Sequence, residues 1–197
     1  MSLSAQTTNN QRSPIQPSNA TVQEQPAASC FLADLSLQMR CGFRGINASA
    51  HLLKLGLPVP QKPNQASATQ RGLTVLRLSP NEFWILADAN VSAASFTLIS
   101  ESNPPAQCYP LFCQDSHAWL ELSGAHLANI MAKVSAVDMR EPAFAVGSIA
   151  QTSVAKVNAI VIHRQTANGS AFSLLSDSAS ANYLWQAVVD AMLEFNR

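Results

Sequence analysis

Twice in 197 residues an apolar segment runs into a glycine and then into a stretch with helical spacing, and this repeated order restricts the fold more than any other feature. The first instance is Leu35 to Phe43, which alternates as a strand does. Arg44-Gly45 follows, then a helix-patterned run from Asn47, a capping residue type, to Leu55, with Gly56 as its stop. After the proline-bearing loop from Pro58 to Pro63, strands are expected over Leu73 to Leu78 and Glu82 to Ala87. Ser79-Pro80-Asn81 turns between them, and a short helix from about Ser92 to Ser100 closes the unit. The second instance opens with a strand from Ala118 to Leu122, turns at Ser123-Gly124 and enters a helix from Ala125 to about Val134. Strands then follow over Ser148 to Val154, Val157 to His163 and Phe172 to Leu175. A final helix carries the stripe Tyr183, Leu184, Ala187, Val188, Ala191 and Met192.

Both halves therefore run strand, helix, strands, helix. The expected class is α+β, with two similar halves at about 34–102 and 108–197 and mostly antiparallel sheets, each covered on one face by helices. Asn103-Pro104-Pro105 is a short stiff break rather than a Gly/Ser linker, so the halves are expected to pack as one compact unit.

Charged residues make up 12% of the chain, about half the usual share of roughly 25%. Such a surface is expected to be covered by a partner. The formal net charge is +0 and no basic run is present, which argues against nucleic-acid binding. Residues 1–29 are rich in Ser, Thr, Asn, Gln and Pro and are expected to form a disordered polar tail. They lack the pattern of a secretory signal, and nowhere does the chain offer the ~20 apolar residues of a membrane span, so a cytoplasmic, soluble protein is expected. Cys30, Cys41, Cys108 and Cys113 show no metal-ligand spacing and are expected to be small buried thiols.

The candidate chemistry is sparse. Asp115-Ser116-His117 has the residue types of a catalytic triad, but neighbours in an extended chain point to opposite faces, while a triad needs three side chains converging on one point. His51, His126 and His163 lie on expected helices or strands without a partner at ligand spacing, and Gly42 and Gly45 supply only a fragment of a phosphate-binding loop. Trp84, Trp119 and Trp185 sit among aliphatic residues and read as core or interface anchors. No catalytic, cofactor or metal residue is assigned. Gln151, Thr152 and Lys156 stand out, because polar groups in an apolar strand must find partners or water. A contact to another subunit is their functional reading, and a solvated strand face is the alternative.

Over about 34–195 the chain resembles the gamma subunits of heterotetrameric sarcosine oxidases, a family related in fold to the folate-binding T-protein of glycine cleavage. The resemblance rests on ordered pieces. They are Arg44-Gly45, Pro63-Asn64, Leu78-Ser-Pro-Asn-Glu-Phe-Trp-Ile-Leu86, Asp115-Ser116, Leu122-Ser-Gly124, Asp138, Phe144, Gly147, Gln151-Thr152, His163-Arg164 and Tyr183-Leu-Trp185. The chain departs from the family at Ser79-Pro80-Asn81-Glu82-Phe83, where Gly-Pro-Asp-Glu-Trp is usual, and at Asp177-Ser178, where an arginine-serine pair is usual. The resemblance implies a non-catalytic assembly role beside larger alpha and beta subunits and a small fourth subunit. Flavins, NAD and tetrahydrofolate would then belong to those partners. Taken with the polar strand residues above, this makes Arg44, Asp115, Ser116, Gln151, Thr152 and Lys156 the interface candidates. A stand-alone aminomethyltransferase-like or repair protein of the same superfamily is the alternative reading.

Overall fold

In the computed structural model, which describes residues 12–15 and 30–195, two five-stranded antiparallel sheets stand face to face. The strands are β1 (Cys30–Asp34), β2 (Arg40–Arg44), β3 (Gln65–Ala68), β4 (Leu73–Ser79), β5 (Glu82–Ala87), β6 (Tyr109–Leu111), β7 (His117–Gly124), β8 (Ile149–Val154), β9 (Val157–Thr166) and β10 (Gly169–Asp177). The helices are α1 (Ala48–Lys54), α2 (Ala93–Ser100), α3 (Leu127–Val134) and α4 (Ala181–Met192). One sheet has the order β3-β4-β5-β2-β6 and the other β1-β7-β10-β9-β8. The class is α+β, and each half runs strand, helix, strands, helix as the repeat predicts.

Each sheet is buried on both faces, where the sequence pattern predicts a single covered face. Leu73, Val75, Phe83, Ile85 and Ala87 of the first sheet pack with Leu52 of α1 and with Phe96 and Ile99 of α2. Their neighbours Leu76, Leu78, Trp84 and Leu86 turn the other way and meet Trp119, Ile149, Ile162 and Leu175 of the second sheet. The far face of that second sheet, with Leu120, Leu122, Val161, Phe172 and Leu174, is covered by α3 and α4. This four-layer arrangement explains why β4, β5 and β7 are almost continuously apolar instead of alternating with polar residues. Each buried Leu, Ile or Phe on these faces adds roughly 1.5–3 kcal/mol of transfer free energy. On α4 the buried stripe is Ala181, Leu184, Trp185, Val188, Ala191 and Met192. Trp185 is therefore inside at 4% exposure, while Tyr183, expected in the stripe, is 53% exposed.

The two halves exchange edge strands. β1, which precedes the first repeat, pairs with β7 of the second sheet, Leu32 opposite Leu122. β6, which lies beyond the expected break, pairs with β2 of the first sheet, Phe43 opposite Pro110. The chain thus crosses between sheets at 35–39 and again at 112–116, and Arg40 sits where these crossings meet. Its Nε donates to the Cys113 carbonyl at 3.1 Å, and Nη1 to those of Ser36 at 3.0 Å and Gln38 at 3.3 Å. Its Nη2 donates to the carbonyls of Gln114 and His117. A further seam joins β3 to the start of β8, where Ala66 N–H donates to the Gly147 carbonyl at 2.7 Å and Ile149 N–H to that of Asn64 at 3.0 Å.

Part of the expected tail is packed. Ile15 is 4% exposed and belongs to the core beneath α3 and α4. The Ser13 hydroxyl donates to the Asp34 carboxylate, and Asn182 Nδ2 donates to the Pro14 carbonyl at 3.0 Å. The rest of that tail lies outside the described residues. Among the described residues no helix is long and apolar enough to cross a membrane.

Candidate interaction site at one end of the sheet sandwich

At the end where β5 and β7 begin, a chain of contacts leads from an exposed ion pair to a polar cleft. Arg44 at the end of β2 lies cross-strand from Glu82 at the start of β5, and Arg44 Nη2 meets Glu82 Oε2 at 2.7 Å. The other carboxylate oxygen, Oε1, accepts the Trp84 indole N–H at 3.2 Å. The Trp84 ring meets His117 edge to face, centroids 4.8 Å apart. His117 Nδ1 in turn hydrogen-bonds Ser116 Oγ at 2.8 Å. Burial is the main cause that lowers the His117 pKa, with the Arg40 guanidinium adding to it and Asp177 and Glu82 opposing. The ring is therefore neutral at physiological pH, and its Nδ1 can accept the Ser116 hydroxyl proton.

Ser116 and His117 meet although they are neighbours in sequence, because Ser116 lies just ahead of β7 rather than within the extended strand. Asp115 does not join them. Its carbonyl accepts the Ser178 hydroxyl at 2.8 Å, the Ser116 carbonyl accepts the Ser178 N–H at 3.1 Å, and the Asp115 side chain faces solvent. These main-chain bonds fix the turn between β10 and α4. Among the described residues no carboxylate hydrogen-bonds the His117 ring, although Asp177 and Glu82 act on it at longer range, so the Ser116-His117 pair lacks the bonded third member that orients a triad.

Gln151 and Thr152 lie on the second sheet's edge strand, β8. Together with His117, Ile160 and Leu175 they line a cleft of about 300 Å³. The Gln151 amide donates to Asn64 Oδ1 at 2.7 Å and to the Leu78 carbonyl at 2.6 Å, so it joins the two sheets within this chain. Thr152 also lines the cleft and is half-buried. Lys156 is elsewhere. With Ala155 it forms the two-residue turn between β8 and β9, where both residues have positive φ, +49° at Ala155 and +69° at Lys156. That geometry favours Asn-Gly, and each non-glycine residue in it costs on the order of 1 kcal/mol. The Lys156 side chain is exposed at the tip of the hairpin and has no ion pair among the described residues.

The structure thus brings Arg44, Asp115, Ser116, Gln151 and Thr152 to one end of the molecule, around Trp84 and His117, and leaves Lys156 apart. Trp84 and His117, which connect these residues, are not among the interface candidates that the sequence offers. Their signal is weak, since an aromatic side chain in an apolar strand reads as core. The other histidines are structural. His163 is buried, with Nδ1 bonded to the Phe144 carbonyl at 2.7 Å and Nε2 to Ser170 Oγ. His51 Nε2 bonds Ser102 Oγ at 2.9 Å, and His126 stacks on Phe195. All four cysteines are buried, Cys30 Sγ donates to the Ala125 carbonyl at 2.6 Å, and burial raises the pKa of each. Among the described residues no group of three or more His, Cys, Asp or Glu side chains is placed to hold a metal ion.

Comparison with known proteins gives a consistent placement. A family model described as the GCVT N-terminal domain matches residues 62–197. The chain is 26% identical over 195 residues to a sarcosine oxidase subunit gamma from Corynebacterium sp. (strain P-1), covering 96% of this chain and 94% of that protein. It is 26% identical over 157 residues to a sarcosine oxidase subunit gamma from Arthrobacter sp., covering 77% and 76%. Among solved structures, a chain of the heterotetrameric sarcosine oxidase from Corynebacterium sp. U-96 superimposes with a TM-score of 0.77 at 19% identity, covering 95% of this chain and 97% of that one. The aminomethyltransferase T of the glycine cleavage system from Bartonella henselae matches with a TM-score of 0.64 at 17% identity, covering 82% of this chain but 46% of that one.

Proposed function

The chain belongs to the family of the GCVT N-terminal domain, and from that premise we propose that it is a non-catalytic assembly subunit of a multisubunit, flavin-dependent oxidase of sarcosine or a related N-methyl amine. The observation that carries this reading is the extent of the match to gamma subunits. The alignment takes in 96% of this chain and 94% of such a subunit, so the likeness is to the whole relative and not to one module. The match to the aminomethyltransferase is different in kind, since the chain spans about half of that protein's length. Larger alpha and beta subunits and a small fourth subunit are the proposed partners, in the cytoplasm. Flavin, NAD and tetrahydrofolate are assigned to those partners.

Among the described residues the His117 cleft, of about 300 Å³, is lined by Gln151, Thr152, Ile160 and Leu175 beside His117. The polar groups left open at this end, the Asp115 carboxylate and the Thr152 hydroxyl, are assigned to partner contact, together with Lys156 at its separate hairpin tip. Arg44, Ser116 and Gln151 are assigned to holding the surface in shape, through Glu82, His117 and Asn64.

Titration of the isolated chain with tetrahydrofolate, followed by calorimetry and by the flavin absorption spectrum, tests the division of labour. The expected result is no saturable folate binding and no flavin absorbance. Stoichiometric binding of tetrahydrofolate would move the assignment to a folate-binding, aminomethyltransferase-like protein.

A further inference from the structure

We propose that the groove between the end of α1, the turn joining β3 to β4 and the start of α2 receives an apolar segment bearing an acidic side chain from a larger oxidase subunit. This inference rests on the assembly role proposed above. The groove has a volume of about 900 Å³. Leu57, Leu73 and Ile99 are buried in its floor, while Leu98 at its lip is 77% exposed. Covering Leu98 beside an existing apolar floor removes water from both, which favours an occupant that lies over the lip and not only within the recess. A macromolecular segment does this better than a small ligand seated on the floor.

Charge identifies the second property of the occupant. Arg71 is the one charged residue lining the groove among the described residues, and no ion pair or side-chain hydrogen bond among them neutralises it. The turn that carries it is closely held. Thr69 Oγ1 accepts the N–H of Arg71 at 3.3 Å and of Leu73 at 3.0 Å. The Gly72 carbonyl accepts the Asp88 N–H at 2.8 Å. Gly72 has φ +79°, and a Cβ there would stand 2.5 Å from Asn90 Oδ1, so the turn is seated directly on the loop that leads into α2. The two walls are locked to each other before any partner arrives. A cation projected from such a base over an apolar floor complements a carboxylate flanked by apolar side chains, and its preorganisation lowers the entropic cost of binding.

The test is co-expression of the full chain with tagged larger subunits, reading the amount of this chain retained at rising salt. Arg71→Glu and Leu98→Gln are each expected to weaken retention about tenfold while leaving the thermal melt unchanged, because both side chains are exposed. Lys62→Glu, which reverses an exposed charge outside the groove lining, is expected to behave as the wild type. Wild-type retention by both groove variants, or equal loss in Lys62→Glu, overturns the groove assignment and leaves the assembly reading intact. Failure of the wild-type chain itself to be retained removes both.

Discussion

Replacing Arg40 with methionine is expected to cost about 4 kcal/mol or more, enough to leave much of the chain unfolded at physiological temperature. The guanidinium is buried and donates to five main-chain carbonyls, those of Ser36, Gln38, Cys113, Gln114 and His117. Four of these carbonyls belong to the two segments that cross between the sheets and the fifth to the first residue of β7, so the side chain ties the two crossings together. Methionine fills similar volume but takes the guanidinium donors away from the Cys113, Gln114 and His117 carbonyls, while those of Ser36 and Gln38 keep the Gln114 side-chain amide at 3.3 Å and 3.1 Å. Lysine offers three donors from a single point and cannot reproduce the planar fork, so Arg40→Lys is expected to recover only a minor part of the loss. Urea unfolding followed by circular dichroism checks this. A midpoint for Arg40→Met close to that of the wild type would show that water replaces the guanidinium at little cost.

The second large effect is expected at Arg164, and it depends on pH. Arg164 on β9 has a side chain only 7% exposed, reaches Glu121 of β7 at 3.2 Å and pairs with Asp88 just after β5, so it links the sheets at the end opposite the His117 cleft. Its guanidinium also lies over the Trp119 ring, 5.4 Å from the centroid, and the Trp119 indole N–H donates to Ser173 Oγ at 3.0 Å. Burial raises the Glu121 pKa, Arg164 opposes that rise and Asp88 adds to it. A carboxyl whose pKa is higher in the folded state holds its proton more tightly there than in the unfolded chain. Folding stability therefore falls as pH rises from the unfolded value through the folded one. Arg164 keeps this penalty small.

Without Arg164 the penalty grows. Arg164→Met is expected to lose about 3–5 kcal/mol at neutral pH. Part of that loss should return as the pH is lowered toward 4.5, the ordinary value for a glutamate, because Glu121 takes up a proton. Adding Glu121→Gln to the variant should restore stability at neutral pH and flatten the pH dependence. Chemical denaturation across this pH range is the measurement. A loss from Arg164→Met that stays constant with pH would show that the lost packing on Trp119, and not the stranded carboxylate, is responsible.

The elements with large apolar residues in a clear period were legible in the sequence, and those held mainly by pairing were not. β4, β5 and β7 through β10 are marked by their own side chains. β3, Gln65-Ala-Ser-Ala68, has no large apolar residue and exists because its backbone completes the edge of β4. β6, Tyr109-Pro-Leu111, is a three-residue edge strand with a proline, and its identity depends on β2 beside it. β1 follows a polar stretch and pairs across the molecule with a strand some 90 residues away in sequence. Such long-range pairing leaves no local trace. The same limit applies to the site. Gln151 was legible as a polar side chain in need of a partner, but the partner proved to be Asn64 and the Leu78 carbonyl of the same chain. Arg40 and Arg164 read as ordinary polar strand positions until both faces of each sheet are seen to be covered.

The assembly role stands on what this chain is bound to. The most direct measurement is the mass and composition of the complex isolated through a tag on this chain after co-expression with the larger oxidase subunits, by light scattering and quantitative gel analysis. The expected result is one defined assembly in which this chain stands in fixed ratio to the larger subunits and the flavin absorbance travels with them. Recovery of the tagged chain by itself, folded and free of those subunits, would contradict it.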